Sequence, residues 1–255
     1  MDVWTSTSEP MSLAVRMSLG WSARPPDRRQ RPMFTLLGFP VYVPASAWIG
    51  IALIAFLNGP AFVGHGDTIA TLAFAFGLYA TVLVHELAHA IMARRTGHHV
   101  LAIRLGILGG ATTYDAVRHP NPKHEMRVAL AGPLANIAIG LALQVALPTG
   151  RLSPPILVLG LLAFMNLVLG ILNLLPAAPL DGGHVCEALV WRLTGSRRAG
   201  MRATAILGYL LGVLAFMSGM NQLETVNGQW LIIVSFVLVM NAGALWGASR
   251  NPRLP

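Results

Sequence analysis

Apolar positions in this chain fall in long unbroken runs rather than at the spacing of an amphipathic helix or an alternating strand. Six runs, at about 41–59, 68–93, 126–147, 155–175, 203–219 and 229–247, approach or exceed the ~20 residues a helix needs to cross a bilayer core. The pattern predicts an all-α integral membrane protein with about six transmembrane helices. Two stretches depart from it. Between the second and third runs, HHVLAIRLGILGGATTYDA has short β-prone segments broken at Gly106 and at Gly109-Gly110. That predicts a small β-hairpin or sheet in a cytoplasmic loop. After the fourth run, GGHVCEALVWRL is too short and polar to cross, and predicts an amphipathic helix at the interface.

Composition strengthens the membrane reading, and charge orients it. Of 255 residues, 55% are hydrophobic and 11% charged, with a mean hydropathy of +0.61. A soluble domain needs more charge to stay dispersed. The formal net charge of +8 would suggest nucleic acid in a soluble protein. Its placement argues otherwise. Arg16, Arg24, Arg28, Arg29 and Arg31 precede the first run. Arg94, Arg95, Arg104, Arg118, Lys123 and Arg127 border or fill the loop after the second. Arg192, Arg197, Arg198 and Arg202 follow the fourth run, and Arg250 and Arg253 follow the last. Arg151 alone falls on the other side. Six spans with both termini cytoplasmic satisfy the positive-inside rule. The charge is topology: the partner is a lipid bilayer, not a nucleic acid.

Residues 1–33 are polar and Arg-rich, and lack the uninterrupted apolar core of a secretory signal. They read as a disordered cytoplasmic extension, or as the result of a start assigned upstream of Met33. Residues 34–249 then form the membrane domain and 250–255 a short cytoplasmic tail. The single cysteine, Cys186, leaves no internal disulfide.

The second run ends in VHELAHA, which puts His85, Glu86 and His89 inside a predicted span. Ionisable groups there are costly and usually functional. Positions i and i+4 share a helix face, so His85 and His89 can bind one metal ion together, with Glu86 placed to deprotonate an attacking water. Without a metal, the same residues would bond to neighbouring helices. A catalytic zinc normally takes a third protein ligand. The fourth run ends at the same membrane face in NLLPAAPLDGGH, where Asp181, His184 and Glu187 are the nearest ionisable residues. Asp181 lies closest to the span, after Pro176 and Pro179 and before Gly182-Gly183, in backbone suited to line a site. It would otherwise serve as the N-cap of the next helix. His184 is a rival third ligand.

HELAH in one span, AGPLAN (131–136) in the next and NLLPAAPLDGG at the end of the following one resemble the site-2 protease family of intramembrane zinc metalloproteases. The motifs occur in that family's order and cover roughly residues 80–190. The resemblance implies His85, His89 and Asp181 as ligands of one Zn2+ per chain and Glu86 as general base. It also implies that Asn136 and Asn173 orient the substrate backbone or the site. The substrate would be a transmembrane protein, such as a membrane-tethered regulator of the anti-sigma-factor kind, in a bacterial plasma membrane. Family members often carry PDZ or CBS domains; this chain has room for neither, so it resembles the minimal branch. Regulation would then fall to a partner chain or to homo-oligomerisation. Two other classes remain open: a relative that binds transmembrane helices without cutting them, and a metal or proton transporter. A transporter would spread polar residues through several spans, whereas here they gather at one end of two. The Gly-rich segment 100–113 offers a strand edge to an unwound substrate.

Overall fold

The computed structural model describes residues 31–62, 67–107, 109–115, 120–147 and 153–250. Most of the expected N-terminal extension (1–33) and C-terminal tail (250–255) lies outside the described residues. The order is β1 (Phe34–Leu36), β2 (Phe39–Tyr42), α1 (Ala45–Asn58), α2 (Asp67–Arg95), β3 (Val100–Leu105), β4 (Gly110–Tyr114), α3 (Pro122–Ala146), α4 (Pro154–Asn173), α5 (Asp181–Thr194), α6 (Arg197–Asn221) and α7 (Val226–Ala248).

Among the described residues, five helices are long and apolar enough to cross a membrane: α2, α3, α4, α6 and α7. The expected count of six is not reproduced. Its first member, α1, has 14 residues, about 21 Å at 1.5 Å per residue against a core of about 30 Å. Proline explains the shortening. Pro44 occupies the N-cap, and Gly59-Pro60 turns the chain into a single 3-10 turn, Gly59–Phe62. Val41 and Tyr42, expected at the edge of that span, belong to strand β2 instead.

The predicted β element is present and larger than expected. β3 and β4 pair antiparallel, with Ile103 opposite Thr112 and Arg104 opposite Ala111. β2 joins β3 in parallel and β1 pairs antiparallel with β2, giving the order β1-β2-β3-β4 with β4 at an edge. The sheet packs on the C-terminal half of α2, where Phe39, Val41 and Ile103 bury against Ala90. Tyr79, two turns before the HELAH motif, donates its hydroxyl toward the carbonyls of Gly106 (2.8 Å) and Ile107 (3.0 Å). This ties the β3–β4 turn to α2. A Cβ at Gly50 of α1 would collide with Tyr79 Oη and the Ile107 carbonyl, so α1 closes on the turn only because it has glycine there.

The spans pack through small residues, as they must where lipid offers no hydrophobic drive between helices. At the α3–α4 seam, a Cβ on Gly170 would stand 2.9 Å from the Pro133 carbonyl and 2.7 Å from Ile137 Cγ1. The outward faces of α6 and α7 remain apolar and exposed, with Leu214, Phe236 and Met240 among them. Helix starts are capped: Asn121 accepts from the Lys123 amide, Ser196 from Ala199 and Thr225 from Gly228. Replacing Gly170 with alanine should destabilise the bundle by about 1–3 kcal/mol, since the Pro133 carbonyl at 2.9 Å is rigid backbone that cannot turn aside as the Ile137 side chain can. A lowered thermal midpoint of the purified protein would check this; an unchanged midpoint would mean the seam can open at no cost.

Candidate metal centre

The three polar residues of α2 meet Asp181 at one buried point. His85, Glu86, His89 and Asp181 are all buried, His89 at 1% exposure. Asp181 arrives by the route the sequence suggested: α4 ends at Asn173, the chain turns through Leu174–Leu180, and α5 begins at Asp181 itself. Its carboxylate is not a cap, because no side chain caps α5. Instead Asp181 Oδ2 lies 3.1 Å from His85 Nε2 and 3.3 Å from His89 Nε2, and the two ring nitrogens are 3.0 Å apart.

The protonation pattern of this cluster calls for a cation. His89 Nδ1 donates to the Val128 carbonyl of α3 at 2.7 Å. That fixes Nδ1 as the donor, so in the neutral ring Nε2 is the free lone pair. Asp181 Oδ2 has no hydrogen-bond donor. Acceptors facing one another in a buried space are costly unless a positive charge sits between them. Four ligands at about 2.0 Å in a tetrahedron are about 3.3 Å apart, close to the separations found here. Two imidazoles and a carboxylate, each offering one atom, therefore fit a divalent ion of zinc's preference.

The space for this cluster is made by a glycine. A Cβ on Gly132 of α3 would sit 2.6 Å from His85 Nε2 and nearer still to His89 Nε2. Gly132 belongs to the AGPLAN motif, and what it packs against is the imidazole pair. Glu86 stands beside the ligands, and its Oε2 accepts a hydrogen bond from Thr112 of β4 at 2.7 Å. Thr112 and Gly110 escaped the sequence reading. The available signal was the alternation GGATTY, which sends residues 110 and 112 to one face of the strand.

A cleft of about 600 Å³ opens on this centre, lined by His85, Glu86, His89 and Asp181 and by Asn136 and Asn173. Asn136 is buried and its Oδ1 has no partner. Gly109, Gly110 and Ala111 at the start of β4 line the cleft as well, as does Arg104. His184 is not part of the cluster. It lines a separate, water-sized cavity of about 20 Å³ with Tyr114, Glu125, Glu187 and Arg197, where Arg197 donates to Glu187 at 2.8 Å. One turn of α5 separates it from Asp181 and turns it toward that ion-pair network.

A bundle of membrane-length helices in which the two histidines of an H-E-x-x-H segment meet an aspartate from a later helix defines a class of fold and site, and that class has a family. The Peptidase family M50 profile matches residues 73–152 and 151–218. The chain belongs to peptidase family M50. Among curated relatives it is 31% identical over 234 residues to sll0528 of Synechocystis sp., whose name proposes a zinc metalloprotease; the match covers 86% of this chain and 60% of that one. It is 37% identical over 172 residues to Rip3 of Mycobacterium tuberculosis, similarly named, covering 63% of this chain and 42% of the relative. It is 30% identical over 169 residues to the zinc metalloprotease MJ0392 of Methanocaldococcus jannaschii, covering 65% and 47%. The chain thus spans about half the length of these relatives. Its fold resembles the solved site-2 protease from Methanocaldococcus jannaschii, with a TM-score of 0.58, 24% identity, and coverage of 84% of this chain and 94% of that one.

Gly132→Ala should drive the imidazoles apart and lower bound zinc well below one ion per chain, with helix content retained. Metal analysis of the purified variant checks this. Full occupancy would show that the ring positions can yield.

Proposed function

We propose that this chain is a zinc-dependent intramembrane endopeptidase that hydrolyses peptide bonds within or beside transmembrane segments of membrane-tethered proteins. One observation carries the reading: His85, His89 and Asp181 converge beside Glu86 in a cleft held among apolar helices. In this reading His85, His89 and Asp181 hold one Zn2+, and Glu86 is the general base. When bound, the ion would polarise the scissile carbonyl and bring the acidity of the attacking water toward neutrality. Glu86 takes a proton from that water as its oxygen adds to the carbonyl carbon, and returns it to the amide nitrogen as the C–N bond breaks. Asn136 and Asn173 line the cleft with side-chain amides that can pair with substrate main chain. The unpartnered Asn136 Oδ1 is suited to accept from a substrate N–H.

A helical substrate hides its amides in its own hydrogen bonds, so it must unwind before it can be cut. The edge strand β4, whose first residues line the cleft, offers main chain for the unwound segment to pair with. Residues 34–249 would form the protease domain, set in a bacterial plasma membrane with both termini cytoplasmic, as the arginine placement supports. Suitable substrates are single-span regulators such as membrane-tethered anti-sigma factors, and control would come from a partner chain or a second copy.

The test is a comparison of membrane-protein fragments from cells carrying wild type or Glu86→Ala. Loss of the base should reduce cleavage by at least roughly 100-fold while zinc is retained. Fragments ending inside spans and present only with wild type are the expected result. Identical fragment patterns from equally expressed proteins would overturn the reading. Ala111→Pro, at the cleft end of β4, should weaken cleavage about tenfold or more without releasing zinc. Unchanged cleavage would remove the strand edge from the account.

A further inference from the structure

The base expected from the HELAH motif is held by a residue outside that motif. Thr112, in the middle of β4, is fully buried at 0% exposure. Its hydroxyl oxygen lies 2.7 Å from Glu86 Oε2 and 2.9 Å from the Glu86 main-chain carbonyl. A hydroxyl has one proton to donate, and an ionised carboxylate accepts it more strongly than a carbonyl does. Glu86 is therefore pinned by one oxygen. Its other oxygen, Oε1, lies against Gly110, where a Cβ would come within 2.8 Å of it. Gly110 also forms part of the cleft wall. So Thr112 takes one carboxylate oxygen away from the cleft, while glycine, two residues earlier on the same strand face, clears room beside the other.

We infer that Thr112 is a positioning residue for Glu86: its hydrogen bond fixes the carboxylate so that Oε1 faces the substrate and water side of the cleft. This rests on the proposed endopeptidase reading and goes beyond it. It makes β4 do two things, since residues 109–111 line the cleft and the next residue sets the base. A strand displaced by a poorly fitting substrate would carry the hydroxyl with it, so base alignment depends on strand position. The neighbouring Thr113 supplies an internal control. It is equally buried, but its hydroxyl has no hydrogen-bond partner, and alternation sends it to the opposite face.

The test uses the full chain loaded with zinc in lipid nanodiscs, with a transmembrane span that wild type cuts as the reporter. Thr112→Val keeps shape and removes the proton; Thr112→Ser keeps the hydroxyl. Thr112→Val should retain one zinc per chain and a KM within about twofold of wild type, with kcat lower by about 10- to 100-fold. Binding of the same span to metal-stripped protein should be unchanged. Thr112→Ser should recover kcat to within about threefold, and Thr113→Val should match wild type. The inference is overturned if Thr112→Val keeps its kcat, if its defect lies in KM or zinc content, or if serine fails to rescue it. If no span is cut by wild type, the endopeptidase reading falls and takes this inference with it. If wild type cuts and Thr112→Val cuts equally well, only the role of Thr112 is lost.

Discussion

His85, His89 and Asp181 turn two ring nitrogens and a carboxylate oxygen toward one buried point inside a largely apolar helix bundle, and much of the local architecture exists to hold that costly arrangement. Unpaired acceptors in a low-dielectric interior repel one another and have lost their water. They persist only where packing leaves them no alternative partner. Gly132 removes the side chain that would otherwise fill the space between the rings. The Val128 carbonyl takes the one ring proton that could have turned His89 inward. Backbone between α4 and α5 that is neither helix nor strand delivers Asp181 at the right depth.

The sheet divides the labour. Helices α2, α3 and α4 hold the cluster through short contacts between small residues. β3, β4 and the turn joining them form one wall of the cleft. That wall is tied back to α2 at two levels, by Tyr79 at the turn and by Thr112 at the base. Main-chain strand edge, side-chain amides and metal cluster therefore share one space of substrate size.

Much of this was legible in the residues. The five long spans follow from apolar runs whose ends fell within a few residues of the helices found. The cluster followed from i, i+4 spacing in one span and from a proline-broken approach to an aspartate at the same face. Legibility failed where neighbours in space are far apart in sequence. The first apolar run divides into β2 and α1, because Pro44 starts a new helix where hydropathy alone sees one run. β1 and β2 had no signal of their own, since their pairing depends on β3, which lies on the far side of α2. Thr112 looked like an ordinary β-former, because its importance lies in what stands opposite it. His184 was a fair rival by distance along the chain, but three residues of helix carry it about 4.5 Å further along α5, where it lines the cavity beside the Glu187–Arg197 pair instead.

The ligand set also has a mechanical consequence. Two ligands come from the middle of α2 and the third from the start of α5, with β3, β4, α3 and α4 threaded between them. An ion bound by all three closes that whole intervening loop, much as a disulfide would, and removes the corresponding freedom from the unfolded chain. The centre is then a staple as well as a reactive site: chelation would loosen the grip of α5 on the bundle as it silences any chemistry. Metal supply would then bear on how long the folded protein survives.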